Sequence, residues 1–418
     1  MRKLAIALLH YSAPPIVGGV EAIMAEHARL LAASGHAVTL VVGRGGEPDP
    51  SAGIQVLKVP EVDSAHPEVT ALAPLLDQGE MPAAFVALRD RLEARLAEAL
   101  APFDIVILHN VMTMHFNLPL TAALHRLLDR GRMPRCVAWT HDASWEDPLQ
   151  RGHVHPRYPW ELLRRLRRDV TYVVITRTRQ AALAQMFRCP HNRLRIIPNG
   201  VHARFWWNLS PEGDALIHEL GLREGDLFLL QPVRLTQLKN IAFSLRVVAG
   251  LKARGLSPRF AVTGPPDPHD MAGRDLLEDL RAMRRELDLE QEVFFLTELG
   301  PAPDEPRVLP FTVVRDLYEA CDALLLPSTA EGFGIPLIEA GLLGRAVFCA
   351  DIPVFREIGR DLVHRFRLDD DPGIVADQLI AWARRSRGYK MRRLVWQRYT
   401  WRAVMRHHLA PLLDSLSA

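Results

Sequence analysis

Short apolar segments alternate with longer amphipathic segments along the first 200 residues of the chain. The apolar segments predict strands at Leu4–Leu9, Val38–Val42, Ile54–Val59, Ile105–Leu108, Cys136–Trp139, Tyr172–Ile175 and Leu194–Ile197. Apolar residues at helical spacing predict helices at Val20–Ala33, Ala83–Leu100, Leu118–Leu128 and Arg179–Met186. Continuous apolar strands between amphipathic helices are typical of a parallel sheet that is covered on both faces.

The same alternation starts again in the second half. It predicts strands at Leu227–Val233, Arg259–Thr263, Val293–Leu296, Ala323–Leu326 and Ala346–Cys349, and helices at Ile241–Ala253, Leu276–Leu287, Val313–Glu319 and Leu337–Leu343. Two successive β/α series predict an α/β protein of two doubly wound, Rossmann-like domains. Pro198, Asn199 and Gly200 interrupt the pattern between the two series, so we place the domain boundary directly after them, near Gly200–Arg204.

The composition is that of an ordinary globular protein. A length of 418 residues exceeds the usual size of one core, and the net charge of +2 does not favour a nucleic-acid binder. The four cysteines are widely spaced, and Cys136, Cys321 and Cys349 lie in or beside apolar runs. We therefore expect reduced thiols in a cytosolic protein.

The first residues, MRKLAIALLHYS, resemble a secretory signal because cations precede an apolar run. That run, Leu4–Leu9, is shorter than the roughly 7–15 residues of a signal's apolar region, and no small-residue cleavage site follows it. No stretch reaches the roughly 18 apolar residues of a membrane span. We interpret the run as a buried first strand and expect a cytoplasmic protein.

A glycine pair follows this first strand. Gly18 and Gly19 lead into the helix that begins near Glu21. Glycines before a helix let bare backbone N–H groups approach an anion at the positive end of the helix. The pair is equally explained as a plain turn. Because it is not the G-x-G-x-x-G motif, it disfavours a dinucleotide-dependent dehydrogenase.

Two cations flank the start of a helix in the second half. Arg234 ends the segment LFLLQPVR, and Lys239 precedes the helix NIAFSLRVVAG. Cations at a helix N-terminus oppose the helix dipole, which favours anions there. A diphosphate between the two side chains would remove this conflict, because arginine offers a planar fork and lysine a point charge. The alternative is that both are solvated surface cations.

A glycine-rich segment flanked by carboxylates, EGFGIPLIE, runs from Glu331 to Glu339 after the strand ALLLPS. Gly332 and Gly334 free backbone N–H groups for a ligand. Pro336 suits the first turn of a helix, and we expect Glu339 in that same turn. The two carboxylates could bind a sugar at one end and a ribose at the other. Alternatively, Glu339 only interacts with the helix dipole.

Two further polar motifs lie at the ends of strands in the first half. His141-Asp142 follows the segment CVAWT, where the histidine could donate a hydrogen bond to a phosphate or a sugar. A lone histidine is more often a structural residue. Asn199-Gly200 could likewise be a plain turn at the domain boundary.

Taken in order, these motifs resemble the retaining glycosyltransferases of family 4, which have the GT-B fold. The matching motifs are G-G-V, H-D, I-I-P-N-G-V, R-x-x-x-x-K and E-G-F-G-I-P-L-I-E. Pro327-Ser328, the segment from Ala350 to Ile358 and the Tyr399-Thr400-Trp401 motif match as well. The resemblance covers nearly the whole chain. Two positions differ from the usual pattern: His202 stands in place of a common aspartate, and Asn240 in place of a frequent glycine.

The resemblance implies two Rossmann-like domains that face each other across a cleft. The N-terminal, acceptor-side domain would comprise residues 1–200 and be completed by a C-terminal helix at residues 399–418. Residues 201–398 would form the domain that binds the nucleotide-sugar donor.

The resemblance also implies roles for single residues. Gly19 resembles the backbone donor to the distal phosphate, and Arg234 and Lys239 resemble the diphosphate clamp. Glu331 with Gly332, Phe333 and Gly334 resembles the loop that holds the transferred sugar. Glu339 resembles the ribose-binding carboxylate, and His141 resembles the first-domain histidine near the sugar and phosphate. Asn199 and Gly264 complete the predicted donor-binding set. We predict His141, Glu331, Arg234 and Lys239 as catalytic residues.

The activity implied is transfer of a hexose from a donor of the UDP-glucose or GDP-mannose type to a hydroxyl acceptor, with retention of configuration. The acceptor could be a sugar, a lipid-linked sugar or a small molecule. We identify no D-x-D cluster suited to a divalent metal, so Arg234, Lys239 and helix N-termini would stabilise the leaving diphosphate. We expect no cofactor and no metal requirement. A non-catalytic nucleotide-sugar binder and a nucleotide-sugar epimerase of the same fold are the alternatives.

A basic amphipathic segment, ELLRRLRR at residues 161–168, has two interpretations. It could contact anionic lipid at the inner face of a membrane, as an enzyme with a lipid-linked acceptor would require. It could equally be a solvated helix face.

Overall fold

The structure is a computed structural model that describes residues 3–48, 50–265, 272–300 and 307–417. It divides into two compact units, which we call the N-terminal domain (Met1–Gly200 with Trp401–Ala418) and the C-terminal domain (Val201–Thr400). The chain was predicted to return to the first domain at Tyr399. The division lies two residues later, because the backbone N–H of Val201 donates to the carbonyl of Tyr399 at 2.7 Å and Val201 pairs with Thr400.

Seven parallel strands form the sheet of the N-terminal domain. They are β1 (Ala5–Ser12), β2 (Ala37–Arg44), β3 (Ile54–Lys58), β4 (Ile105–His109), β5 (Arg135–Thr140), β6 (Val170–Val174) and β7 (Leu194–Ile196). The connecting helices are α1 (Gly19–Ala33), α2 (Pro67–Asp77), α3 (Ala83–Leu100), α4 (Leu118–Asp129) and α5 (Arg177–Phe187). The strand order β3-β2-β1-β4-β5-β6-β7 reverses between β1 and β4.

The C-terminal domain repeats this architecture with six parallel strands. They are β8 (Leu227–Gln231), β9 (Pro258–Val262), β10 (Val293–Phe295), β11 (Ala323–Leu326), β12 (Ala346–Ala350) and β13 (His364–Phe366). Its helices are α6 (Ala203–Trp206), α7 (Pro211–Glu219), α8 (Ile241–Ala253), α9 (Ala272–Glu286), α10 (Phe311–Ala320), α11 (Ile335–Leu342), α12 (Pro353–Gly359), α13 (Pro372–Arg385) and α14 (Arg387–Arg398). The strand order β10-β9-β8-β11-β12-β13 reverses between β8 and β11.

The end of the chain completes the core of the N-terminal domain. It forms α15 (Trp401–Val404), a π-helical turn (Met405–Leu409) and α16 (Ala410–Ser417). Trp401 and Val404 pack in one buried cluster with residues of β1 and β2. Gly200 permits this packing, because a Cβ atom there would lie 2.5 Å from the Trp401 ring.

The prediction of two doubly wound, Rossmann-like domains is confirmed. All twelve predicted strands are present, with bounds that shift by a few residues. The three-residue strand β13 was not predicted, because two of its three residues are exposed polar side chains. Helix α2 was also missed, since Pro67 and Pro74 interrupt its apolar pattern.

All four cysteines are unpaired, and three of them are buried. Burial raises the pKa of Cys136 to about 12, which leaves that thiol protonated at neutral pH. Among the helices of the described residues, none combines the length and the apolar character that a membrane span requires.

The apolar side chains of residues 161–168 pack inward, as the alternative of a solvated polar face requires. The segment begins in a short 3-10 helix, and its Leu162 and Leu163 are buried in the domain core. The Arg167 guanidinium is also buried, and it is paired with Asp169 at 2.7 Å. The segment therefore has no free apolar face that could enter a lipid surface.

A buried histidine lies at the centre of the N-terminal domain. Both ring nitrogens of His27 are buried and have no hydrogen-bond partner among the residues that the structure describes. The ring packs against Trp139 at 4.4 Å and against Trp401 at 5.5 Å between centroids. Burial, followed by the charge of His141, lowers the pKa of His27 to about 3. The native state therefore holds this ring neutral where the unfolded chain, with a pKa near 6.5, would protonate it.

We expect His27→Leu to reduce the acid sensitivity of the protein. Below pH 6.5 the unfolded state binds a proton at His27 that the native state binds only near pH 3. Each such histidine therefore lowers the free energy of unfolding by about 1.4 kcal/mol per pH unit as the pH falls. Thermal unfolding at pH 7 and pH 5 should show a smaller drop in Tm for His27→Leu than for the wild type. The exposed His191→Leu serves as the control, and equal drops in all three proteins would refute the argument.

Candidate functional site

Three adjacent strands of the C-terminal domain carry the predicted site residues at their carboxyl ends. Gly264 follows β9, Arg234 and Lys239 follow β8, and Glu331 follows β11. The strand order reverses between β8 and β11, and open α/β sheets bind ligands in the crevice at such a reversal. The sheet topology thus brings together residues that lie far apart in the sequence.

The side chains of Lys239 and Glu331 form an ion pair across this reversal. Lys239 Nζ lies 2.6 Å from Glu331 Oε1, and the buried Ser328 hydroxyl donates to the same oxygen at 2.7 Å. The side chains of Lys239 and Glu331 are 23% and 11% exposed, respectively. Two donors on one carboxylate oxygen hold the glutamate in a fixed position while the lysine remains accessible.

Buried polar groups beneath the ion pair hold its backbone in place. The Gln231 side-chain amide donates to the Lys239 carbonyl at 2.8 Å, and the Ser244 hydroxyl donates to the Gln231 amide oxygen at 2.7 Å. The backbone N–H of Thr329 donates to the Leu238 carbonyl at 2.9 Å, which ties the two loops together. Gln231 was not predicted, although a buried amide within the apolar strand LFLLQ could have indicated it.

Asn240 connects this turn to α8 with a φ of 49°. This is the left-handed region, which glycine adopts without strain and asparagine tolerates better than most residues. Asn240, which stands in place of a glycine that is frequent in the family, therefore preserves the turn.

Arg234 is exposed, and it makes no ion pair or side-chain hydrogen bond with any residue the structure describes. Its loop is fixed by Gly264, whose N–H donates to the Val233 carbonyl at 3.0 Å. A Cβ atom at Gly264 would lie 2.5 Å from that carbonyl oxygen. Gly264 therefore has a structural role in placing Arg234. The structure joins Lys239 to Glu331 and leaves the guanidinium open to a ligand.

The glycine loop ends at α11. Gly334 precedes the helix with a φ of 82°, and a Cβ atom there would lie 2.9 Å from the Phe355 ring. Gly332 and Phe333 are exposed. Glu339 is the fifth residue of the helix, so its predicted place in the first turn is wrong.

The partner of Glu339 is a tyrosine that the sequence did not indicate. The Tyr318 hydroxyl donates to Glu339 Oε2 at 2.5 Å. Burial and the neighbouring carboxylate raise the pKa of Tyr318, so this hydroxyl remains a donor at any physiological pH. Glu339 is thus positioned by a side chain from α10 and does not act through the helix dipole alone.

A cavity of about 400 Å³ lies in the N-terminal domain at the carboxyl ends of β1 and β4, and we call it the polar cavity. Its lining includes His10, Ser12, Gly19, Glu21 and Asn110. The Ser12 hydroxyl donates to Glu21 at 2.8 Å. A Cβ atom at Gly19, the first residue of α1, would meet no heavy atom of the described residues within 4 Å.

His141 lies behind this cavity and does not line it. It is 5% exposed, and its Nε2 lies 3.3 Å from Nδ1 of the buried His109. Burial lowers the pKa of His141 to about 4, so the ring is neutral at pH 7 and offers no positive charge to a phosphate. His10, which is also largely buried, is among the residues that line the cavity, and its Nδ1 donates to the His109 carbonyl at 2.9 Å. Asn199 lies at the domain boundary, and its buried side-chain oxygen has no hydrogen-bond partner within the described part of the chain.

No group of three or more metal-binding side chains suited to an ion occurs in the ranges the structure describes. Asp369, Asp370 and Asp371 form a D-x-D triplet, although we identified no such cluster from the sequence. Its members already have partners, because Asp369 binds the Arg367 side chain, Asp370 accepts from the Arg367 N–H, and Asp371 caps α13.

We expect Gly264→Ala and Gly332→Ala to differ in stability. The methyl group at position 264 would collide with backbone atoms, which costs about 1–3 kcal/mol. At position 332 it would meet nothing within 4 Å. In a domain of this size the first change should lower Tm by about 2–4 °C per kcal/mol, and the second should leave Tm within about 1 °C of the wild type. An unchanged Tm for Gly264→Ala would disprove the structural role of this glycine.

Several known proteins similar to this chain are glycosyltransferases. D-inositol 3-phosphate glycosyltransferase of Rhodococcus erythropolis is 29% identical over 173 residues, which are 41% of this chain and 36% of that protein. The match thus spans little more than a third of that relative's length. Mannosylglucosylglycerate synthase of Petrotoga mobilis is 22% identical over 61% of each chain. The structure of Anabaena HepE in complex with UDP and glucose aligns over 99% of this chain and 100% of its own, at 18% identity and a TM-score of 0.36.

Two family models match the two domains in turn. The model of Glycosyltransferase Family 4 matches residues 17–205, and the model of Glycosyl transferases group 1 matches residues 214–386. The first model covers most of the N-terminal domain, with Gly19 and most of the residues that line the polar cavity. The second covers the Lys239–Glu331 pair and the glycine loop. The chain therefore belongs to the glycosyltransferases of family 4.

Proposed function

We propose that this chain transfers a hexose from a nucleoside diphosphate sugar to a hydroxyl acceptor, with retention of configuration. The observation that carries the proposal is the Lys239–Glu331 ion pair at the reversal between β8 and β11. The Lys239 ammonium group can bind a phosphate, and the Glu331 carboxylate can accept hydrogen bonds from the hydroxyls of a sugar. Retention is proposed from the family assignment.

In this proposal the cations stabilise the leaving group. Negative charge develops on the diphosphate as the sugar departs, and stabilising that charge is the largest electrostatic task of the site. Lys239 Nζ is already positioned, and the Arg234 guanidinium is open to a ligand. Helix α8 begins two residues after Lys239, so its positive end adds to the same field. These groups could perform the task without a divalent metal, and full turnover in the presence of EDTA would support this point.

The carboxylates would bind the two sugars of the donor. Glu331 accepts hydrogen bonds from Lys239 and Ser328 in the free protein, and a hexose hydroxyl could replace the lysine when a phosphate binds it. Glu339, held by Tyr318 at one oxygen, has its second oxygen available for a ribose diol. The exposed Phe333 and Gly332 lie between the two carboxylates in the sequence, where they could contact the transferred sugar.

The donor and acceptor are proposed as classes. UDP-glucose and GDP-mannose both suit a clamp that recognises the diphosphate. The names of two relatives, a D-inositol 3-phosphate glycosyltransferase and a mannosylglucosylglycerate synthase, support a small polyhydroxylated acceptor. Thermal-shift measurements with UDP, GDP and ADP would identify the base, because a ligand of the native state raises Tm by mass action.

We expect Arg234→Ala and Lys239→Ala each to reduce kcat at least tenfold. A lost charge-assisted hydrogen bond to the diphosphate is worth about 1.5–3 kcal/mol in the transition state, and each 1.4 kcal/mol is a factor of ten in rate. Nucleoside diphosphate release and glycoside formation should be measured together. Lys252→Ala, at the other end of α8, is the control because its partners Asp288 and Glu292 lie outside the site. Wild-type rates in both clamp variants would reject the proposal, and release without a new glycoside would favour a donor-binding protein or an epimerase.

We also expect Gly19→Ala to weaken catalysis without affecting the fold. The added methyl group meets no protein atom, so Tm should stay within about 1 °C of the wild type. It would, however, obstruct a phosphate that approaches the backbone N–H at the start of α1. Turnover at saturating donor should therefore fall about tenfold or more, by a single lost charge-assisted hydrogen bond. A variant with both wild-type Tm and wild-type turnover would remove Gly19 from the site.

A further inference from the structure

A second cavity of about 280 Å³ lies in the N-terminal domain beside α2, and we call it the apolar cavity. One face of α2 supplies Val69, Ala73 and Leu76, which are spaced at four and three residues and therefore share a side of the helix. Phe116 and Trp160 contribute aromatic surface opposite them. Apolar side chains thus form most of the wall.

The apolar cavity and the polar cavity are adjacent. Ser64 and Phe116 line both of them. The Phe116 ring is 42% exposed and meets Tyr11 edge-on at 6.2 Å between centroids. A single molecule could therefore occupy both cavities by passing over this ring. Each cavity is close to the lower end of the range of about 300–1,000 Å³ for small-molecule sites.

The polar groups at the edge of the apolar cavity have partners within the protein. His153 Nδ1 lies 2.9 Å from Asp77 Oδ1, and His115 Nδ1 lies 2.8 Å from the Ser144 hydroxyl. The two imidazole rings stack with their planes 3° apart at 5.2 Å. Burial lowers the pKa of His115 to about 4, so this ring is neutral at pH 7. An occupant therefore gains contact area here without having to supply charge.

The polar cavity, in contrast to the apolar cavity, is lined by several acidic side chains. Glu21, Asp142 and Asp147 line it, and none of its lining residues is a lysine or arginine. Asp142 is paired with Arg179 at 3.0 Å, but that guanidinium is not part of the lining. Carboxylates and amides accept hydrogen bonds from sugar hydroxyls, and the carboxylates repel an anionic substituent. The start of α1 differs, because the proposed function assigns the backbone N–H of Gly19 there to the phosphate of the donor.

We infer that the acceptor is amphipathic, with a neutral, polyhydroxylated head in the polar cavity and an apolar aglycone, of about the size of one aromatic ring, in the apolar cavity. This inference rests on the proposed function, because it takes the polar cavity of the N-terminal domain as the acceptor site. Contact between the aglycone and the apolar cavity increases the affinity for the acceptor, and a phosphate on the head decreases it.

The test measures binding affinities by calorimetry on the full chain, and therefore does not depend on turnover. It compares ligands that carry the same sugar head and differ in the aglycone. Methyl and phenyl glycosides of glucose, mannose and galactose serve as probes. We expect the phenyl glycoside of at least one hexose to bind about tenfold more tightly than its methyl glycoside, as burial of an aromatic ring predicts. The corresponding hexose 6-phosphate should bind more weakly than the free hexose. Equal affinities of phenyl and methyl glycosides across the panel would overturn the inference.

Two variants of α2 locate the binding of the phenyl group. Ala73 is exposed at the mouth of the apolar cavity, so Ala73→Trp should fill the cavity and abolish the preference for phenyl. Ala71 is exposed on the same helix but does not line the cavity, so Ala71→Trp should keep the preference. Thermal unfolding checks that both variants fold. A preference that survives Ala73→Trp would refute this location. Failure of the proposed function is distinguishable, because it would abolish glycoside formation while leaving these affinities intact.

Discussion

The ion pair between Lys239 and Glu331 is the constraint on which the proposed chemistry depends. It joins the loops that follow two adjacent strands, and so it places a cation and a carboxylate at the single point where the sheet reverses its strand order. Ser328 and Gln231 hold the two partners from the interior of the domain. An ion pair supported in this way is arranged before a ligand arrives, which reduces the reorganisation that binding would otherwise require.

The burial of strands explains how much of this arrangement could be predicted. A buried parallel strand must be apolar along its length, so strand positions and the loops at their carboxyl ends follow from the hydrophobic pattern. That is why Arg234, Lys239 and Glu331 could be assigned to one edge of one sheet. The supporting partners could not be assigned, because Tyr318 and Ser328 acquire their meaning only from side-chain directions within the folded domain.

His141 illustrates the limit of the pattern most clearly. A histidine at the end of a strand faces either the ligand side or the interior, and the sequence does not distinguish the two. Here the ring turns toward His109 and is buried, which fixes it in the neutral form. His10, which is only 4% exposed, lines the polar cavity although it lies within an apolar run. The cavity beside α2 was missed for a related reason, since two prolines conceal the helix that forms its wall.

The packing of Trp401 and Val404 into the first domain has a consequence for biosynthesis. The N-terminal domain is discontinuous in the chain, whereas the C-terminal domain is formed by one uninterrupted segment. A ribosome therefore releases every residue of the second domain before it releases the residues that finish the first. The core of the first domain can therefore be completed only after the second domain has been synthesised, and the apolar surface that Trp401 and Val404 cover stays uncovered until then.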